Sequence, residues 1–171
     1  MNTKNIILIG AMGAGKSTIG RKLAKKLGAQ FFDSDKFIED KTGVDIPTIF
    51  EYEGESGFRT REEKVIKELC HLENIVLATG GGAILSKNNR NLLVTCGVIL
   101  YLKATADTLF SRTKNDLNRP LLKSTNKLQT ILDLLKEREP LYEEIADHII
   151  DTDQHTTNWA VNQILKQFKY D

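Results

Sequence analysis

Gly10-Ala11-Met12-Gly13-Ala14-Gly15-Lys16-Ser17 satisfies the pattern G-x-x-x-x-G-K-[ST] at every fixed position. It lies between an apolar run, Asn5–Ile9, that reads as a strand and a helical pattern over residues 17–27. Backbone N–H groups of such a loop converge on phosphate oxygens, and its glycines let the backbone come close. The helix that follows turns its positive N-terminal end toward the same anion. Lys16 then reaches the β- and γ-phosphates, and the Ser17 hydroxyl is placed to ligate Mg²⁺. This stretch is built to bind a nucleoside triphosphate.

Outward from the loop, strand-like runs alternate with helical patterns. The strands are expected at Asn5–Ile9, Gln30–Asp33, 75–79, 98–103 and His148–Asp151. Several are continuously apolar, as in parallel sheets covered on both faces. Helical patterns fall at 17–27, 36–41, 46–52, 57–72, 87–95, 106–111, 128–142 and 157–168. The alternation predicts one α/β domain over residues 1–171, a doubly wound parallel sheet with right-handed crossovers. Gly28 suits a helix C-cap, and Pro47 and Pro140 suit first-turn positions. Two stretches break the rhythm. A mostly helical insertion, about 34–72, separates the second and third strands and is placed to hold a second substrate. A polar segment, about 113–126, carries Arg119-Pro120-Leu121 and has the length of a lid.

Bulk properties exclude several function classes. The chain has 171 residues, enough for a real core, with 40% hydrophobic and 27% charged residues and a net charge of +1. That balance gives no general attraction to nucleic acid or to an anionic membrane. No apolar run approaches the roughly 20 residues that span a bilayer. The first strand begins almost at Met1, which leaves no room for a signal peptide, and a cytoplasmic protein is expected. Cys70 and Cys96 lack metal spacing and read as inert, partly buried thiols.

Asp33 and Asp35 close the second strand, where ligands of open α/β sheets bind. In extended chain they face one side, so one can hold Mg²⁺ through water while the other orients or deprotonates a hydroxyl. The alternative is that Asp35 simply caps a helix starting at Lys36. Thr79-Gly80-Gly81-Gly82 leaves bare backbone for a ligand, or else makes a tight turn. The aspartate that often holds Mg²⁺ at this position is missing, which leaves Asp33 as the metal partner. Arg138 interrupts an apolar stripe formed by Leu134, Leu135, Leu141 and Tyr142, so it needs an anion there, either a ligand carboxylate or a structural ion pair. Arg59 has Glu55 four residues before it and Glu63 four after, which a solvated ion-pair array explains as well as function does. Arg119 is either a lid group that meets the transferring phosphoryl or a plain loop arginine. The three histidines form no cluster, and Trp159 and Phe168 fall on the apolar face of the last helix.

Taken together, these pieces resemble the shikimate kinase family. GAMGAGKST (10–18), DSD (33–35), GESGFRTREE (54–63), TGGG (79–82), RPLL (119–122) and REPLYEEIAD (138–147) occur in the family's order over nearly the whole chain. The resemblance implies a three-layer P-loop kinase fold of the nucleoside monophosphate kinase type, a five-stranded parallel sheet in the order 2-3-1-4-5 flanked by helices. It implies transfer of the γ-phosphoryl of ATP to the 3-hydroxyl of shikimate, a step toward chorismate and the aromatic amino acids. Carried over by position, it assigns ATP to Gly13, Ala14, Gly15, Lys16, Ser17 and Thr18, with Arg112 and Gln154 near the adenine and Arg119 reaching the phosphates from the lid. Shikimate falls to Asp35, Arg59, Gly80, Gly81 and Arg138, and one Mg²⁺ to Ser17 and, through water, Asp33. Lys16, Asp35 and Arg119 are the expected catalytic groups, in a monomer that needs neither nucleic acid nor membrane. The lid, with Asn115, Asp116 and Asn118, is less basic than in many relatives. A kinase of the same fold acting on gluconate and a non-catalytic nucleotide-binding module are the competing readings.

Overall fold

The computed structural model describes residues 5–116 and 125–168. Within them the chain runs β1 (Asn5–Ile9), α1 (Lys16–Leu27), β2 (Gln30–Asp33), α2 (Ser34–Thr42), α3 (Ile46–Leu69), β3 (Ile75–Ala78), a 3-10 turn (Ala83–Leu85), α4 (Lys87–Cys96), β4 (Gly97–Lys103), α5 (Ala106–Thr113), α6 (Lys127–Ile145), β5 (His148–Asp151) and α7 (Thr157–Gln167). The strands form one parallel sheet in the order β2-β3-β1-β4-β5. Its central strand, β1, is buried throughout, and successive side chains feed two cores. Ile6 and Leu8 join α1, α5, α6 and α7 on one face, while Ile7 and Ile9 join α2, α3 and α4 on the other. That double coverage is why β1 and β3 carry no polar alternation.

Local signals place most boundaries. Gly28 ends α1 in the left-handed conformation with its N–H on the Ala24 carbonyl, and Pro47 stands in the first turn of α3. Pro140, in contrast, lies well inside α6, because that helix begins earlier, at an Asn126 cap. The two helical patterns at 46–52 and 57–72 are one element, α3, bent at Gly54, whose φ of 68° and ψ of −178° interrupt the helix. The helix cap after β2 is Asp33, not Asp35: its carboxylate accepts the Asp35 and Lys36 N–H groups at 3.0 and 3.3 Å, and Asp35 sits in the first turn of α2. Trp159 and Phe168 line the margin of the core and are only half-buried, the Trp159 ring stacking on His155. Cys70 and Cys96, 26 positions apart in the chain, end α3 and α4 side by side, and the Asn5 amide reaches the Cys96 sulfur. Residues 117–124, the middle of the expected lid with Arg119, lie outside the described residues. Among the described residues no helix is long and apolar enough to cross a membrane.

Candidate active site

Parallel strands bring the segments that follow them to one edge of the sheet, and four of those segments meet there. A cavity of about 520 Å³ is lined by Gly13, Gly15, Lys16, Ser17 and Thr18 after β1, Asp33 and Asp35 after β2, Thr79, Gly80 and Gly81 after β3, and Arg112 of α5. The phosphate loop, both aspartates and the glycine turn expected from the sequence therefore open on one space. Ala14 shares the loop, but its methyl group points into the core.

Lys16 lies curled over the loop, its ammonium donating to the Gly10 and Ala11 carbonyls at 2.7 and 2.8 Å. The Ser17 hydroxyl donates to one oxygen of Asp33, while the other oxygen caps α2. One carboxylate thus ties the end of β2 to the phosphate loop, and a pair of hard oxygen donors faces the cavity. Such a pair suits a small divalent cation such as Mg²⁺. The Ser34 hydroxyl accepts the Gly80 N–H at 2.9 Å and holds the glycine turn against α2. At Gly80 a side chain is excluded: a Cβ there would come within 2.6 Å of Asp35 Oδ1 and 2.8 Å of Glu62 Oε1. Both carboxylates therefore converge on bare backbone.

Behind the turn stands a charged cluster. Arg59 of α3 donates to Glu62 at 2.8 Å and to Glu55 at 3.1 Å, lies over the Phe58 ring, and has its guanidinium against Gly82. Glu55 was an expected partner and Glu63 was not confirmed as one: Glu63 accepts the Ser86 hydroxyl, and its place is taken by Glu62. Of the two readings of Arg59, a wholly solvated array does not hold: the arginine keeps the exposed Glu55 and pairs as well with the buried Glu62. Burial opposes the charge on Arg59, but Glu62 and Glu55 more than offset it and its pKa is raised. Glu62 feels the reverse. Burial pushes it up to about 7, the attraction of Arg59 offsets only part of that, and Asp35 adds to it. The short contact with Arg59 favours the ionised form, so Glu62 is poised near neutrality. Arg138 is buried, as its interruption of an apolar stripe predicts, with its charge felt by both Glu62 and Tyr142.

Other expected residues sit further out. Arg112 donates to the Gly13 carbonyl at 3.2 Å and the Thr152 carbonyl at 2.7 Å, and so braces the phosphate loop against the end of β5. Gln154 is exposed after β5 and does not line the cavity. The sequence reading missed Ser34, Glu62 and the hydroxyl of Tyr142. The i+3 spacing from Arg59 is the one sequence signal for Glu62 and is too common to single it out, and Tyr142 reads from the sequence only as an apolar neighbour of Arg138.

The shikimate kinase family model matches residues 12–169. The chain belongs to the shikimate kinase family. The shikimate kinase of Methylococcus capsulatus is 51% identical over 168 residues, covering 98% of this chain and 94% of the relative. That of Haemophilus influenzae is 54% identical over 163 residues, covering 95% and 91%. A solved structure of the Acinetobacter baumannii shikimate kinase in complex with shikimate superposes with a TM-score of 0.96 at 49% identity, over 98% of this chain and 93% of that one. This kinase thus has the expected fold and strand order. It is an enzyme of ATP-dependent shikimate phosphorylation in aromatic biosynthesis.

Proposed function

We propose that the chain lines up the 3-hydroxyl of shikimate with the terminal phosphorus of ATP inside the cavity after β1, β2 and β3. In this reading the triphosphate lies over residues 13–18, and the acid is held by Arg59, Arg138 and the backbone of Gly80 and Gly81. The observation that carries it is the opening of Lys16, Ser17 and Asp35 onto one cavity, with a cationic cluster behind the glycine turn. Paired guanidinium groups match an anionic acceptor, since each can grip a carboxylate through parallel N–H donors.

Phosphoryl transfer asks mainly for position and charge neutralisation. The hydroxyl oxygen forms a bond to the γ-phosphorus while the bond to the β,γ-bridging oxygen breaks, which leaves ADP. Asp35 orients the hydroxyl and takes its proton, at the end of the site where Glu62 and Arg59 set the field. Lys16 neutralises charge on the β- and γ-oxygens, and Arg119 does so from the lid. The Ser17 hydroxyl and, through water, Asp33 would hold one Mg²⁺, which would supply further neutralisation of the phosphate oxygens. Arg112 and Gln154 border the nucleobase. A monomer working in the cytoplasm, without nucleic acid or membrane, completes this reading.

The test is a coupled assay of ADP release with shikimate and with gluconate, the phosphorylated carbon being read by NMR. Shikimate 3-phosphate, formed faster than any gluconate product, is expected. Faster turnover of gluconate, or phosphate on another hydroxyl, overturns the assignment.

A further inference from the structure

Tyr142, on α6 one turn after Arg138, is among the most buried side chains of the protein at 1% exposure. Its ring stacks on Tyr101 of β4, with centroids 5.0 Å apart and planes 26° from parallel. Packing alone explains the ring and leaves the hydroxyl to be explained. That hydroxyl donates to the carbonyl of Gly81, in the middle of the glycine turn, and the phenol lies close enough to Arg138 to feel its charge. Gly81 in turn touches the phosphate loop, since a Cβ on it would come 3.3 Å from the Met12 nitrogen and 3.5 Å from the Gly10 oxygen. One phenol beside the buried arginine is therefore tied to the turn that lies between the acid end and the nucleotide end of the cavity.

The geometry points to Tyr142 as a positioning residue for shikimate: its hydroxyl holds the Gly81 peptide in place beside the Arg138 guanidinium. The Gly81 carbonyl lies in one plane with the Gly82 N–H, so holding the carbonyl fixes the direction of that donor at the turn. Arg138 has its Nε buried without a partner, so its orientation depends on its terminal nitrogens and on what they touch. Removing the phenol oxygen takes the bond from the half-buried Gly81 carbonyl and a polar neighbour from Arg138, both at the acid end and neither among the residues assigned to the phosphates. This inference rests on the assignment of Arg138 and the glycine turn to shikimate.

The test uses the full chain with Tyr142→Phe, which keeps the ring and its stacking. Tyr101→Phe is the control, a buried hydroxyl removed from the same stack. Calorimetry measures shikimate and ATP separately, with kcat and the thermal midpoint alongside. In Tyr142→Phe, shikimate affinity is expected to fall about ten-fold while ATP affinity stays within about two-fold. Tyr101→Phe should move neither. Unchanged shikimate affinity in Tyr142→Phe overturns the proposal, and so does an equal loss for both ligands, which marks general loosening. Absence of shikimate binding by the wild-type protein removes the underlying site assignment, and this proposal with it.

Discussion

Glu62 places a titratable group behind the glycine turn, and its effect on stability has a definite sign. Its pKa is raised to about 7 in the fold, from an ordinary 4.5. Between those values the folded chain keeps a proton that the unfolded chain has released. Stability contributed by this group is full below pH 4.5 and is lost as pH rises through about 7. The wild-type thermal midpoint should therefore fall more steeply between about pH 5 and 7.5 than that of Glu62→Gln, as paired melting curves would show. Parallel curves would mean that Glu62 is ionised throughout. Asp35→Asn should lower kcat by about 10²- to 10⁴-fold and leave ATP affinity in place, measured by steady-state kinetics and calorimetry. Lys16 and Asp35 were legible because a spaced motif and a strand end announce them. Glu62 was not, since an acid three residues after a helical arginine is an everyday surface pattern and only burial sets it apart.

At the scale of elements, the bend in α3 decides where Arg59 points. Gly54 takes a backbone conformation that side-chain-bearing residues avoid, with nothing within 4 Å of a Cβ placed there. Arg61 grips Glu53 across the bend at 2.6 and 2.7 Å. Gly54→Ala should thus cost about 1–3 kcal/mol through backbone strain alone, visible in denaturant unfolding. By straightening α3 it should also weaken shikimate binding more than ATP binding. The helical halves of α3 were readable from periodicity, but their continuity was not, because no local rule says whether a lone glycine ends a helix or only bends it. The two-residue shift of the α2 cap has a similar cause: Asp33 and Asp35 are equally good caps, and the contact of Asp33 with Ser17 is a tertiary fact.

Over the whole molecule, the parallel α/β class followed from continuous apolar runs alternating with helical patterns, which are local, while the strand order came from the family resemblance. What escaped was the meeting of distant residues, such as Tyr142 with Gly81 or Cys70 with Cys96, because separations of 61 and 26 positions carry no periodic trace. Ile7, fully buried at the centre of β1, offers a global check. Ile7→Ala should cost about 2–5 kcal/mol and reduce both ligands' apparent binding together near its melting point, unlike any change at the cleft. The sheet itself divides the labour. Asp35, Gly80 and Gly81 follow β2 and β3, Arg112 and Gln154 lie around β4 and β5, and the phosphate loop rises from β1 between them. Arg138 comes from α6, which packs on β4 and reaches the glycine turn through Tyr142. Redesign for a different acceptor alcohol can accordingly be confined to the β2–β3 flank and that single helix, with the energy-donor half inherited unaltered as a reusable module.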